Sequence, residues 1–269
     1  MKKKLFTLTL AMCFSSAIFA QFSNEGKSAS NSFFSTEKPE NPWNFGIRAG
    51  LNMSSVSTSI PGTDADYTDD GFKSKVGFNL GLNIEYSIFK SLSIKSGIYI
   101  TTKGAKYEYE TSDTHRYSYH TEVEKCKYDG TLNEYYIQIP VLGSYKYYIK
   151  DNFNVEVNVG PYVAYGIAGK SNGKESWRYY LDGVDKTSSV GNGADMSNSY
   201  KYNTFGKDNG QEMLKRFDCG LIIGAGVTYN KYYFGLQYDL GMTNLLPSPY
   251  SSVYSGKNRN LGLNIGYNF

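Results

Sequence analysis

From Arg216 to Thr243 the chain alternates with a period of two. Phe217, Cys219, Leu221, Ile223, Ala225, Val227 and Tyr229 are apolar or aromatic, and the residues between them are mostly polar or glycine. After Asn230 and Lys231 the parity reverses, and Tyr232, Phe234, Leu236, Tyr238, Leu240 and Met242 form the apolar set. Period two over this length means β-strands. A two-residue turn places Tyr229 opposite Tyr232 and keeps both apolar sets on one face of a hairpin. The strands are longer than those of most soluble sheets. One face is apolar and uncharged, and the other is rich in glycine and carries charge. That asymmetry describes a sheet with lipid outside and a packed polar interior.

The same alternation recurs in Trp43–Asn52, Lys75–Tyr86, Leu92–Thr101, Glu134–Lys146, Phe153–Ala168 and Asn260–Phe269. With the hairpin this makes eight strands. Pro140 interrupts the fourth, where a central strand loses a ladder hydrogen bond, and a bulge or kink is expected there. The connections run long, short, long, short, long, short, long. Outer-membrane barrels have short periplasmic turns and long external loops, with both termini periplasmic. The expected fold is therefore all-β, an eight-stranded antiparallel up-and-down transmembrane β-barrel over residues 43–269.

No outward residue of this assignment is Lys, Arg, Asp, Glu or His. A Lys or Arg on a lipid face costs roughly 2–4 kcal/mol at the midplane, which gives the absence a cause. A soluble lipocalin-like barrel with the apolar face inside fails on volume, because one small interior cannot hold so many large side chains. Trp43, Tyr86, Phe153, Tyr229, Tyr232, Tyr267 and Phe269 fall at the periplasmic strand ends, where an aromatic girdle belongs.

Mean hydropathy is −0.46, a value compatible with a barrel whose strands are half inward-facing. No run of 18 apolar residues suggests a membrane helix. Residues 1–20, with Lys2, Lys3 and Lys4 before an apolar stretch ending at Ala20, read as a signal peptide. Residues 21–42 are rich in Ser, Asn and Glu and read as a flexible periplasmic tether. Without the three leading lysines the 28 basic residues equal the 25 acidic ones, so no electrostatic case for nucleic acid remains. Cys219 lies on the apolar face and Cys126 in a polar loop, so no disulfide is expected.

Inward positions carry Arg48, Lys75, Lys95, Lys146 and Arg216 against Glu85, Glu134, Glu156, Asp218 and Asp239. An eight-stranded barrel is just wide enough for its own side chains, and unpaired buried charges are costly. These groups read as a mutually neutralising interior network rather than a catalytic or proton-conducting site. His115, His120 and Cys126, with Glu122 and Glu124, match no common zinc spacing, and no metal or cofactor is expected. No nucleophile is marked beside the two histidines. Tyr107, Tyr109, Tyr117, Tyr119, Tyr179, Tyr180, Tyr200 and Tyr202 admit two readings: a binding surface for a partner or glycan, or strands extending past the membrane with cross-strand aromatic pairs.

Three stretches, FGIRAGLN at Phe45–Asn52, YYIQIPVLGSYKY at Tyr135–Tyr147 and the hairpin from Phe217 to Leu245, resemble the PorT-like family of outer-membrane β-barrel proteins. The likeness spans about Trp43 to Phe269, and the Ile-Pro pair of the fourth strand is its most specific feature. The resemblance implies an outer-membrane barrel, with one family branch linked to protein secretion. The terminal Phe269 resembles the signal read by the outer-membrane insertion machinery. The expected function is non-enzymatic: a structural or protein-interaction role through the external loops or the periplasmic side. A narrow channel is the alternative, followed by a membrane enzyme or a soluble ligand-binding barrel. Expected partners are outer-membrane lipid, the insertion machinery and an unidentified protein.

Overall fold

A computed structural model describes residues 34–59, 72–190, 197–208, 211–248, 250–252 and 254–269. The expected signal peptide and residues 21–33 of the expected tether lie outside the described residues. Eight long strands form the frame: β1 (Trp43–Ser59), β2 (Lys75–Phe89), β3 (Leu92–Arg116), β4 (Thr121–Lys150), β5 (Phe153–Ala168), β6 (Phe217–Tyr229), β7 (Tyr232–Gly241) and β8 (Ser255–Asn268). Each pairs antiparallel with its neighbours in sequence, and β1 also pairs with β8, so the sheet closes into a ring. Asn230 adopts φ 53° in the turn between β6 and β7, a conformation that asparagine tolerates and a tight hairpin requires. Tyr229 and Tyr232 face each other across that turn.

The two faces separate as alternation demands. Leu51, Leu82, Ile98, Val159, Ile223 and Leu263 are among the exposed apolar side chains of the outer wall, whereas Glu85, Lys103, Glu134, Glu156, Asp218 and Asp239 are buried inside. Such an inside-out distribution places the apolar wall against lipid.

Pro140 produces no bulge. The β3–β4 ladder skips Gly97 and Ile98 opposite the proline and resumes at Tyr99↔Gln138 in the same register as Ser96↔Val141. On its other side Pro140 pairs with Tyr162. On that side the ladder in turn skips Val141 and Leu142 opposite Pro161 and Gly160, and the Ser96 hydroxyl donates to the Pro140 carbonyl at 2.8 Å.

Much of the described part of the second and third long connections is strand rather than loop. β3 and β4 continue to Arg116 and Thr121 as one hairpin. Lys170–Leu181 adds to β4, and Ser197–Asn203 adds to Lys170–Leu181. About 9–11 residues suffice for a tilted strand to cross a membrane, so β4, with 30, projects well past it. Ser35–Pro42 are tied to the opposite end. Ser35 N–H donates to the Ser91 hydroxyl at 2.9 Å, Ser87 and Lys90 N–H donate to the carbonyls of Pro42 and Glu37, and Lys90 pairs with Glu37 at 2.7 Å.

Candidate functional site

The barrel interior holds two polar layers. In the layer near the short turns, Glu85 lies between Lys146 at 2.5 Å and Lys95 at 3.9 Å, and Lys95 also meets Glu156 at 2.5 Å. The Ser93 hydroxyl donates to Glu85, and the Asn158 amide donates to Glu156 at 3.0 Å. Two lysines and two glutamates therefore neutralise one another away from bulk water. Arg48 is buried beside them and, among the described residues, has no acidic partner. Its guanidinium donates to the Asn268 side-chain carbonyl at 2.7 Å and lies 4.4 Å from the centre of the Tyr233 ring. Aromatic contacts sit on the outer wall at this end, among them Trp43 with Tyr86 at 4.8 Å, Phe153 with Tyr229 at 6.4 Å and Tyr232 with Tyr267 at 5.6 Å. Phe269 packs on Tyr267 at 5.8 Å.

The layer near the long connections is built around Lys103, which the sequence reading placed outside the strands. Its ammonium is wholly buried, meets Asp218 at 3.0 Å and lies 4.4 Å from the Tyr162 ring centre. The Tyr162 hydroxyl and the Asn258 amide each donate to Asp218 at 3.2 Å, and Asn258 also reaches Glu134 at 3.3 Å. Asp239 accepts from the amides of Gln237 at 2.8 Å, Gln138 at 3.2 Å and Asn260 at 3.2 Å. Glu134 and Asp239 are thus held by amides where charge-for-charge pairing was expected.

Arg216 is a correction. It is exposed, and its guanidinium donates to the backbone carbonyls of Gly166 at 2.8 Å and Phe205 at 3.1 Å. It precedes β6, and at that rim its acceptors are backbone carbonyls of β5 and of the third long connection. Lys75 is half-buried and makes no ion pair with a described residue. The remaining interior is closed by apolar packing. Tyr136, Tyr162, Ala164 and Ile222 form a cluster with Phe205, which folds in from the third long connection. Phe205 contacts Tyr136 edge-on at 5.4 Å, and Gly166 leaves room for its ring. No periodicity marks Phe205, because it lies between strands.

Beyond this rim the sheet of β3, β4, Lys170–Leu181 and Ser197–Asn203 is ordered by aromatic and ionic contacts. Tyr109 stacks on Tyr128 at 4.8 Å, and the hydroxyls of Tyr107 and Tyr200 meet at 2.8 Å. Burial pushes the Tyr107 hydroxyl up from its ordinary value. Glu108 accepts from Lys73 at 2.5 Å and Lys127 at 2.7 Å, and these bonds hold its carboxyl at about 2. His120 donates to Glu122 at 3.1 Å and stacks on Tyr117 at 4.7 Å. The ladder places His115 opposite Glu122 and Cys126 opposite Thr111. Cys126 is buried within β4, not set in a loop as expected. Among the described residues no three His, Cys, Asp or Glu side chains converge as metal ligands do.

A closed antiparallel ring with an apolar outer wall and a charged, filled interior defines the class of outer-membrane β-barrels. Residues 19–246 match the family profile described as outer membrane protein beta-barrel domain. The chain belongs to that family, and its place is the outer membrane of a Gram-negative bacterium. Among solved structures, Ail of Yersinia pestis aligns with 15% identity over 84% of this chain and 98% of its own, at a TM-score of 0.30. OprG of Pseudomonas aeruginosa aligns with 13% identity over 84% and 95%, at 0.35. Neisserial surface protein A gives 14%, 84%, 97% and 0.35. Superpositions this loose transfer no property of those proteins. No curated protein sequence matches the chain.

Proposed function

We propose that this chain is a sealed, non-enzymatic barrel that holds an ordered sheet outside the cell for contact with another molecule. The observation that carries the reading is the unbroken register of β3 and β4 from Leu92↔Tyr145 to Arg116↔Thr121, far beyond the length a bilayer needs. A barrel that only anchored itself would not need this projection. The filled interior argues against a channel. Within the family we assign the chain to the PorT-like group on the three stretches quoted above, with residues 1–20 as signal peptide and both termini periplasmic. A secretion-associated role follows from that assignment only.

Tyr119 is 96% exposed at the tip of the β3–β4 hairpin, which makes it a suitable position for a photo-cross-linking residue. In living cells the expected result is a discrete cross-linked product at Tyr119, with protease added to whole cells cutting the same tip. Absence of any product, with the tip protected in whole cells and cut only after the outer membrane is opened, contradicts the reading.

A further inference from the structure

The projecting sheet has two chemically different faces. Register fixes them, since the β3–β4 ladder runs unbroken from Ile100↔Ile137 on the outer wall to Lys106↔Thr131. The outward face carries Lys106, Lys125, Lys127, Lys174, Arg178 and Lys201 against Glu108, Glu110 and Asp129. Beyond the rim the opposite face carries Asp113, Glu122, Glu124 and Glu175 and, among the described residues of 107–116, 121–130, 170–181 and 197–203, neither Lys nor Arg.

A trough of about 620 Å³ crosses the four strands on the outward face. One wall is the ladder row Lys106, Thr131, Asn172 and Lys201, and the other is Glu108, Asp129, Lys174 and Ser199. The floor is the backbone of the row between them, Tyr107, Gly130, Gly173 and Tyr200. The two glycines present no side chain, and a Cβ on either would press against the tyrosine rings lying on the other face. Glu108 is compensated by Lys73 and Lys127. Lys106, Lys174 and Lys201 make no ion pair with a described residue, so the trough keeps an excess of positive charge.

We propose that this trough binds the phosphorylated sugar headgroup of a glycolipid in the outer leaflet around the barrel. The proposal deepens the reading above and rests on its placement of the sheet outside the cell. Position selects the ligand. Tyr135 is the last outward aromatic of β4, and Thr131 lies four residues further on, about 10 Å higher for a strand rising ~3.3 Å per residue at a tilt of ~40°. An ordinary phospholipid headgroup layer is only about 5–8 Å deep, so this height belongs to a sugar headgroup. The surface that meets lipid chains lower down meets those sugars here, because it is the same face of the same strands. The chemistry fits as well. Thr131, Asn172 and Ser199 offer hydroxyl and amide groups to sugar hydroxyls, and the three lysines offer ammonium groups to phosphates.

The test uses the full folded chain in mild detergent, titrated with lipopolysaccharide, with the same lipopolysaccharide after dephosphorylation, and with its lipid-free phosphorylated polysaccharide. The expected result is binding to intact lipopolysaccharide at least about tenfold tighter than to the other two, with the preference falling at high ionic strength. The Lys106→Gln/Lys174→Gln/Lys201→Gln variant is expected to lose that tenfold preference while keeping a heat-dependent mobility shift on SDS gels, which reports an intact barrel. Equal affinity for the dephosphorylated form, or an undiminished preference in the variant, overturns the proposal. Equally tight binding of the lipid-free polysaccharide overturns the membrane source of the ligand. Binding in detergent does not depend on orientation, so a sheet found in the periplasm by whole-cell proteolysis refutes the functional reading separately.

Discussion

Lys103 is wholly buried, and its ammonium meets Asp218 at 3.0 Å inside the barrel. Removing one partner of such a pair strands the other charge in a medium that cannot solvate it. Lys103→Met is therefore expected to lower stability by about 3–5 kcal/mol, read from urea unfolding of the barrel in lipid vesicles. Adding Asp218→Asn should recover much of that loss, and a double variant as unstable as the single would contradict the pairing. A second residue gives a pH test. Glu108 lies outside the membrane with its carboxyl at about 2, below the ordinary 4.5, because Lys127 and Lys73 bond to it. A depressed folded value means that its contribution is complete above pH 4.5 and disappears as pH falls through about 2. An NMR titration should place Glu108 near 2 in the wild type and nearer 4.5 in Lys127→Gln. Most of the interior was legible residue by residue, because parity alone puts Glu85, Lys95, Lys146 and Glu156 inside. Lys103 was missed through a strand end set at Thr101; two more residues at the same parity point it inward. Arg216 was misplaced by the same rule, since parity continues on paper past the point where β6 begins.

The β3–β4 hairpin shows why whole elements differ in legibility. Where a strand crosses lipid, one face must be apolar, and the alternation is plain. Past the rim both faces meet polar surroundings, that demand ends, and the strands read as polar loops. What remains visible is tyrosine in excess, and cross-strand pairing beyond the membrane, the second reading of those tyrosines, describes Tyr109, which stacks on Tyr128. Gly130 is one of the element's tight points. A Cβ there would press on the Tyr107 ring and approach the Asn172 carbonyl oxygen at 2.5 Å. Gly130→Ala is expected to break the contact between Tyr107 and Tyr200 and to raise the rate of proteolysis in the sheet several-fold, while the heat-dependent gel shift of the barrel stays unchanged. An unchanged rate would mean that the tyrosine pair does not hold the sheet.

The molecule as a whole combines a ring closed by the pairing of β1 with β8 and an interior lined by two polar layers. Closure removes the strand edges that would otherwise invite pairing with other chains. Side chains from both layers fill much of the interior, with Phe205 packed at the long-connection end, and a cavity of about 230 Å³ remains beside Arg48, Glu85 and Lys146. The closed ring follows from eight alternating segments with connections of alternating length, so it was readable in the sequence. The plug was only half readable, because Phe205 comes from a connection where no period constrains it. The central claim is that this barrel is sealed and acts through its projecting sheet. Conductance of the purified, folded barrel in a planar lipid bilayer tests it most directly. A sealed barrel is expected to give a baseline current with no unitary steps, in the wild type and also after the sheet is deleted, since the seal lies within the barrel. Regular, reproducible open-channel steps from the wild type would contradict it and make the protein a narrow channel.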